Sequence, residues 1–391
     1  MSDLPIYLDH HATTPVDPRV VDAMAPFWTT QFGNAASFQH EYGRQAAQRI
    51  EAATQQIAEL LQCDPKCVVF TSGATEANNL AIKGILGPKL RQRSIAATPH
   101  VISTQVEHRA VIDPLKKLER RGVDVTWLPV DETGLIRLSD LEDAFRPETK
   151  LVSIIWASNE VGSIHPLAEI AALCEQRSII LHTDAVQAVG KLPINLSVSE
   201  AVNLLSFSAH KLYGPPGIGC LYVQPDDNRS FRLEPQIEGG GHQRGFRSGT
   251  LPLPLIIGFG KACEIARQES KEEQLRLMQL RDQFQQLLQQ GIPDIRINGD
   301  LNNRLAGNLN ISIPQVDGEA LLSHLTEIAV SSGSACTSTN PEPSHVLRAM
   351  GIDDRLCRAS LRFGLGRSTT AVELHEAARH VIEVVNSLRQ S

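Results

Sequence analysis

Short apolar segments rich in β-branched residues alternate with longer helical segments along much of the chain, and this alternation limits the possible folds most. The apolar segments predict buried strands at residues 67–70, 100–105, 123–130, 150–158, 178–183 and 203–208. The segment "TEANNLAIKGIL", which follows the first of them, has helical spacing. Strand, helix, strand in this order favours a mostly parallel sheet that is covered on both faces. We therefore predict an α/β fold.

The pattern of predicted strands and helices changes near residue 264. A long amphipathic helix, "ACEIARQESKEEQLRLMQLRDQFQQLLQQG", is predicted to end with Gly291 as its C-cap. Shorter strands, "GNLNISI" and "ASLRFGLG", follow it and indicate a smaller α+β domain. Because a chain of 391 residues is too long for one small core, two domains are expected. We predict a large domain at 16–263 and a small domain formed by 1–15 and 264–391.

Charge and hydropathy argue against several classes of protein. The chain has 37 basic and 44 acidic side chains, a net charge of −7, and no basic stripe with interleaved aromatic residues, so nucleic acid is not an expected partner. The apolar runs, such as "LPLPLIIGFG", are short and broken by proline and glycine, so no membrane span is expected. The N-terminus resembles neither a secretory signal nor a transit peptide, and we expect a cytoplasmic protein.

The cysteines point to a reduced protein without a structural metal. The chain has seven, an odd number, and they are scattered. Cys63 and Cys67 lack the second pair of ligands that a zinc site needs, so we expect them to pack rather than to bind metal.

Ligands of an open parallel sheet bind beyond the carboxyl ends of its strands. The residues in that position are 71–75, 107–108, 159–160, 184 and 208–211. In "TSGATEAN", Gly73 permits close approach of the backbone, and the amides near Ala74 and Thr75 would begin a helix. Such a helix start with hydroxyls beside it is suited to a phosphate. Ordinary N-capping by threonine and serine also explains the same residues, and is favoured when this segment is taken alone.

Three further strand ends carry reactive side chains. Asp184, in "HTDAVQAVG", could cap a turn or pair with a cationic ring nitrogen. Lys211, in "SFSAHKLYGPPGIG", has Ser208 and His210 beside it, and a partly desolvated lysine is a Schiff-base nucleophile, although most lysines are solvated. His108, in "QVEHRAV", could lie over an aromatic ring and move protons, or be an ordinary half-buried histidine.

Together these residues indicate a cofactor. A lysine for an aldehyde, an aspartate for a pyridinium nitrogen and a helix N-terminus for a phosphate are the anchors of pyridoxal 5′-phosphate. None of them is specific alone, but their presence on successive strand ends is. We therefore predict that the chain binds pyridoxal phosphate.

The sequence also resembles a known family. The segments that carry the resemblance are "YLDHHATTP", "TSGATEANN", "EHRAV", "SNEVG", "HTDAVQAVG", "SFSAHKLYGPPGIG", "RSGT", "GSACTS" and "LRFGLGR". They resemble the cysteine desulfurases, class V, fold-type I pyridoxal-phosphate enzymes of the iron–sulfur-assembly kind, from residue 7 to about 367. The segment "SSGSACTS" points to the group with an extended cysteine loop. The chain departs from the pattern at Ala35, where proline is expected, and in the residues after Asp9.

The resemblance implies a role for each matching residue. Lys211 would bind the cofactor aldehyde, Asp184 would keep the ring nitrogen protonated, and Gln187 would hydrogen-bond the ring hydroxyl. His108 would stack on the ring and transfer protons. The residues implied for the phosphate are Ala74, Thr75, Ser208 and His210, with Thr250 contributed by the second subunit of a homodimer. The residues implied for the carboxylate of the substrate L-cysteine are Asn159, which also borders the cofactor, and Arg362.

Cys336 would receive the sulfur of L-cysteine as a persulfide, which leaves L-alanine. Because a free thiol titrates near ~8.5, a neighbour must activate it, and His108 is a candidate. The small side chains around Cys336 and Gly333 predict a mobile loop that carries the thiol to a sulfur-acceptor protein, such as an iron–sulfur scaffold.

Two kinds of alternative remain open at the level of sequence. An aminotransferase, a selenocysteine lyase or a cystine lyase would share the fold, although transamination does not require a loop thiol. A non-catalytic sulfur carrier or metal scaffold could use the same cysteine and histidines.

Overall fold

A computed structural model of the chain describes residues 4–91, 98–197, 201–224, 232–332 and 342–390. Cys336 lies outside the described residues. The strands are β1 Ile6–Tyr7, β2 Val68–Thr71, β3 His100–Thr104, β4 Asp124–Leu128, β5 Thr149–Ser153, β6 Ile180–Asp184, β7 Leu204–Ser208, β8 Gly219–Val223, β9 Arg296–Asn298, β10 Asn308–Ser312, β11 Ile328–Ala329, β12 Ser331–Ser332 and β13 Ser360–Gly364. The α-helices are α1 Pro18–Met24, α2 Pro26–Thr29, α3 Glu41–Leu61, α4 Ala74–Arg91, α5 Arg109–Glu119, α6 Leu138–Ala144, α7 Leu167–Glu175, α8 Leu253–Gly291, α9 Gly318–His324, α10 His345–Ala349, α11 Asp354–Arg358 and α12 Ala371–Gln390.

A seven-stranded sheet in the order β2–β8–β7–β6–β5–β3–β4 organises the first part of the chain. Strand β8 runs antiparallel to β2 and β7, and the other neighbouring pairs are parallel. Strands β2, β3, β7 and β8 are buried along their whole length, as expected for a sheet covered on both faces. The predicted mostly parallel α/β fold is confirmed.

Strand β8 is the strand of this sheet that the sequence analysis missed. It begins at Gly219, in the glycine- and proline-rich segment after Lys211. A Cβ atom at Gly219 would lie 2.7 Å from the Cα atom of Gly73, so a glycine is needed where β8 passes the turn that follows β2. Gly219 therefore makes β8 look like a loop in the sequence, and the same glycine allows β8 to pack against this turn.

Alternate side chains of the strands enter two cores, as the two-residue period of a strand requires. Val68 and Phe70 face a core that α1, α3, α7 and the start of α8 complete. Val69 faces the opposite core, which α4 and α5 cover. Both faces of the sheet are thereby closed, and its carboxyl edge is left for ligands.

Helix α8 joins this sheet to a third core. Its buried residues up to Ala266 pack in the first core, whereas those from Leu277 onward pack with α12 and with strands β10 and β13. The third core lies on an antiparallel sheet in the order β12–β13–β10–β9. Leu8 belongs to it as well, and β1 pairs in parallel with β11. The division at residues 263 and 264 stays a prediction.

The predicted long helix is longer than expected at its start and ends differently. Helix α8 begins at Leu253, nine residues before the predicted segment, because Pro254 fits in the first turn of a helix. The expected C-cap role of Gly291 is wrong, since Gly291 is the last helical residue and Ile292 is the cap. A side chain at Gly291 would overlap that of Ile382 on α12, so this glycine permits close helix packing.

Within the described ranges, no helix combines the length and the apolar character that crossing a membrane requires.

The contact between α3 and α8 depends on Gly260. A Cβ atom there would lie 2.7 Å from the Cα atom of Ala53, so Gly260→Ala should overpack the interface at a cost of about 1–3 kcal/mol, which outweighs a gain of about 1 kcal/mol in helix propensity. We expect unfolding at a lower urea concentration. Gly87→Ala in α4 is the matched control, because a Cβ atom there would meet only the end of the Glu234 side chain, at 3.2 Å. Equal midpoints for Gly260→Ala and the unmodified chain would contradict the prediction.

Candidate active site

A cavity of about 430 Å³ opens at the carboxyl edge of the large sheet. Its wall includes all but one of the residues predicted to bind the cofactor, namely Ala74, Thr75, His108, Asn159, Asp184, Gln187, Ser208, His210 and Lys211. The exception is Thr250, which is exposed and does not line this cavity. The topology thus brings together strand ends that are far apart in the sequence.

A second cavity, of about 320 Å³, shares His108, Asn159 and Lys211 with the first. Arg362 lines this second cavity. Ser332 also lines it, and it is the last described residue before Cys336. The first described residue after Cys336, Glu342, lines the same cavity. Both ends of the segment that carries Cys336 therefore border the cavity that holds Arg362.

Lys211 lies on the wall between the two cavities, in a short 3₁₀ turn directly after β7. Its Nζ donates hydrogen bonds to the carbonyl oxygens of His11, at 2.7 Å, and Ala12, at 2.5 Å. Burial lowers the pKa of Lys211 to about 8, and the nearby Arg362 contributes in the same direction. About a tenth of such amines are unprotonated at pH 7, so a nucleophilic amine is available here.

Asp184 is the last residue of β6, and only 3% of its surface is exposed. Its Oδ2 accepts a hydrogen bond from Nδ2 of Asn78 at 2.7 Å, and its Oδ1 accepts one from the backbone N–H of Val186 at 3.1 Å. These two bonds hold a buried carboxylate in one orientation on the cavity wall.

The start of α4 forms another part of the wall. Glu76 in its first turn accepts hydrogen bonds from the backbone N–H of Ser72, at 2.7 Å, and from Nε of Arg247, at 2.9 Å. The first N–H groups of a helix have no partner within the helix, so they are available to an anion. His210 lies at the same cavity, and burial lowers its pKa to about 4, so its ring is neutral at pH 7.

His108 is the N-cap of α5. Its Nδ1 accepts a hydrogen bond from the backbone N–H of Ala110 at 3.1 Å. In the neutral ring the proton therefore lies on Nε2. This arrangement leaves a donor on a ring that lines both cavities.

Arg362 on β13 is held by Asp9, which the sequence analysis did not assign to the site. Nη2 of Arg362 donates to Oδ1 of Asp9 at 2.8 Å, and Nη1 donates to the carbonyl oxygen of Asn159 at 3.2 Å. Oδ2 of Asp9 accepts a hydrogen bond from Ser331 at 2.8 Å. Only 8% of the surface of Arg362 is exposed, and its Nε has no partner among the described residues. It can therefore accept a further anionic partner.

Glu107 follows β3 and was noted in the sequence only for its position. It is fully buried, and burial raises its pKa to about 8. Its Oε1 accepts hydrogen bonds from Thr104 and from the backbone of Ile155. Its Oε2 has no partner in the described part of the chain. The second cavity thus contains a carboxyl group that is largely protonated at pH 7.

Where the structure describes the chain, no three histidine, cysteine, aspartate or glutamate side chains are grouped so that they could hold a metal ion.

Comparison with known proteins identifies the family. The family described as "Aminotransferase class-V" matches residues 6–376. A curated "Cysteine desulfurase IscS" of Anaeromyxobacter dehalogenans is 46% identical over 387 residues, which cover 99% of this chain and 94% of the relative. The chain belongs to the cysteine desulfurases of the class-V aminotransferase family. A human "Cysteine desulfurase" is 45% identical and aligns with 99% of this chain and 83% of its own length.

Solved structures agree with this assignment. A "NIFS-LIKE PROTEIN" superposes with a TM-score of 0.89 at 34% identity, over 98% of this chain and 100% of that one. The structure described as "SspA in complex with cysteine" gives a TM-score of 0.79, also at 34% identity, over 92% of this chain and 98% of that one. Cysteine desulfurases of this family generally use pyridoxal phosphate.

The desolvated amine of Lys211 should react at lower pH than a surface lysine. Because only the unprotonated amine is nucleophilic, a pKa of about 8 predicts half-maximal labelling of Lys211 by an amine reagent near pH 8 in the cofactor-free chain. Peptide mass mapping across a pH series measures this, with the exposed Lys66 as the reference. If the pH dependence of labelling is the same for Lys211 and Lys66, the desolvation argument is wrong.

Proposed function

We propose that this desulfurase binds pyridoxal phosphate at Lys211 and takes sulfur from L-cysteine, leaving L-alanine and a persulfide on Cys336. The observation that carries the proposal is the position of the Lys211 amine. It lies between one cavity with the donors for a cofactor and another with Arg362 and both ends of the Cys336 segment.

The residues of the first cavity fit the proposed cofactor. An amine, a buried carboxylate and a helix N-terminus line one space. Its volume of about 430 Å³ falls in the usual range of small-molecule sites. Asn159, Gln187, Ser208 and His210 add polar groups to the wall. When bound, pyridoxal phosphate supplies an electron sink that stabilises negative charge on the α-carbon of an amino acid.

The chain itself supplies the proton transfers. Lys211 would hold the cofactor through its aldehyde, and the freed amine would take the proton from the substrate α-carbon, since its lowered pKa lets it work as a base near neutral pH. The Asp184 carboxylate would hold a proton on the pyridine nitrogen, which is the state that best withdraws electrons. His108 would give or receive a proton at Nε2.

Arg362 would bind the carboxylate of L-cysteine through paired hydrogen bonds. Asp9 already fixes one edge of the guanidinium through Nη2, so its orientation is set before the substrate arrives. Asn159 touches Arg362 through its carbonyl oxygen and lines both cavities. The substrate would therefore lie with its carboxylate in the second cavity and its amine toward Lys211.

Cys336 would complete the reaction as the sulfur acceptor. Its thiolate would attack the sulfur of L-cysteine, so that a sulfur–sulfur bond forms and the carbon–sulfur bond breaks. The electron pair of the broken bond stays with carbon, which is then protonated on the way to L-alanine. The positions of Ser332 and Glu342 support this assignment, because they bring the chain on both sides of Cys336 to the substrate cavity.

The partners and the compartment are further parts of the proposal. Thr250, exposed on its own chain, would reach the phosphate of the second subunit in a homodimer. The persulfide would pass to an acceptor protein, such as an iron–sulfur scaffold. We place the enzyme in the cytoplasm, although one 47% identical relative, from Encephalitozoon cuniculi, is named mitosomal.

The role of Cys336 can be separated from cofactor binding. Cys336→Ser should keep the visible absorbance of the bound cofactor but lose sulfide release from L-cysteine by more than about 100-fold, because the nucleophile is removed. Cys63→Ser, a change at a half-buried cysteine on another face, is the matched control and should retain activity. Sulfide release by Cys336→Ser at the rate of Cys63→Ser would refute the assignment.

A further inference from the structure

A small cavity of about 20 Å³ is lined by Lys211, which also lines the proposed cofactor site. The titratable or charged groups that line it are His10, His11, Lys191, Lys211, Tyr213, Glu273 and Arg367. A space of this size can hold a water molecule. Nε2 of His10 and Nε2 of His11 are buried and lack partners among the described residues, so such a water would have polar neighbours.

Lys191 is the unexpected member of this group, because the sequence analysis gave it no role. It follows Gly190, which has a φ of 76°, and its Nζ donates a hydrogen bond to Oε1 of Gln187 at 2.5 Å. Burial lowers the pKa of Lys191 to about 7, the charge of Lys211 lowers it too, and the carboxylate of Glu273 raises it. Holding a lysine here is costly, and the structure offers it one close side-chain acceptor, the Gln187 amide.

Two contacts favour one orientation of the Gln187 amide. The carbonyl oxygen of His11 can only accept and a protonated Lys191 can only donate, so the Gln187 atom that Lys191 contacts is the amide oxygen. Nε2 of Gln187 then donates one N–H to the carbonyl oxygen of His11 at 3.0 Å. Nδ1 of His11 lies 3.1 Å from the same Oε1, which makes it a second donor to that oxygen. Gln187 is left with one N–H on a side chain that lines the first cavity.

We propose that Lys191 is a positioning residue, which holds the Gln187 amide so that it presents an N–H, and not its oxygen, to the cavity in front of Lys211. The inference rests on the proposed function, in which that N–H meets the ring oxygen of pyridoxal phosphate. It adds a residue that acts through Gln187 and does not line the proposed cofactor cavity.

The test is the pH midpoint of the visible absorbance band of the cofactor-loaded protein. An N–H directed at the ring oxygen favours its deprotonated form, so loss of that N–H raises the midpoint. Lys191→Met should shift it upward by about half to one pH unit and weaken cofactor binding about 3- to 10-fold. Lys191→Arg, which places a permanently protonated donor at this position, should retain the original midpoint. Lys261→Met, which removes an ammonium paired with Glu264 at 3.1 Å and lines none of these three cavities, is the matched control and should leave the midpoint unchanged.

A double-mutant cycle separates positioning through Gln187 from a general effect of charge. In a Gln187→Met background, Lys191→Met should cause no further shift. An equal shift in both backgrounds, or no shift in the otherwise unmodified chain, would overturn the inference while the proposed function stands. Absence of the band from the unmodified chain would overturn the proposed function and this inference with it.

Discussion

The site depends on the partial desolvation of one ammonium group, that of Lys211. A solvated lysine is protonated and inert, whereas this one has a pKa of about 8 and is held by two backbone carbonyls of the N-terminal segment. The carboxylates of Asp9 and Asp184 oppose the shift and keep it moderate. The amine therefore has a useful unprotonated fraction and can still act as an acid once protonated.

The fold creates this environment by bringing together residues that are far apart in the sequence. Strands β6 and β7 end side by side and place Asp184 and Lys211 on one edge. The segment before α1 lies across that edge, so that His11 accepts from Lys211 and Asp9 holds Arg362 from β13. One short N-terminal segment thus links the large sheet to the smaller antiparallel sheet around the reactive amine.

Much of this could be predicted from the sequence, because strand ends are local signals. Asp184, Lys211 and the start of α4 each follow an apolar strand, and the parallel topology alone brings them together. The missed features have non-local causes. Asp9 owes its role to Arg362, 353 residues away. Lys191 contacts Gln187, only four residues before it, and was missed because the sequence does not show that its amine is buried. Strand β8 and the start of α8 carry the glycines and prolines that usually mark loops, and packing against Gly73 and Ala53 explains why glycine is needed there.

Borohydride reduction of the cofactor-loaded protein, followed by peptide mass mapping, tests the central claim most directly. A carbon–nitrogen double bond between pyridoxal phosphate and a lysine becomes a stable single bond, so the modified residue can be read from its mass. The account predicts one modified lysine, Lys211, with Lys191 unmodified although its amine also has a lowered pKa. A reduced adduct on another lysine, or none on Lys211, would contradict it.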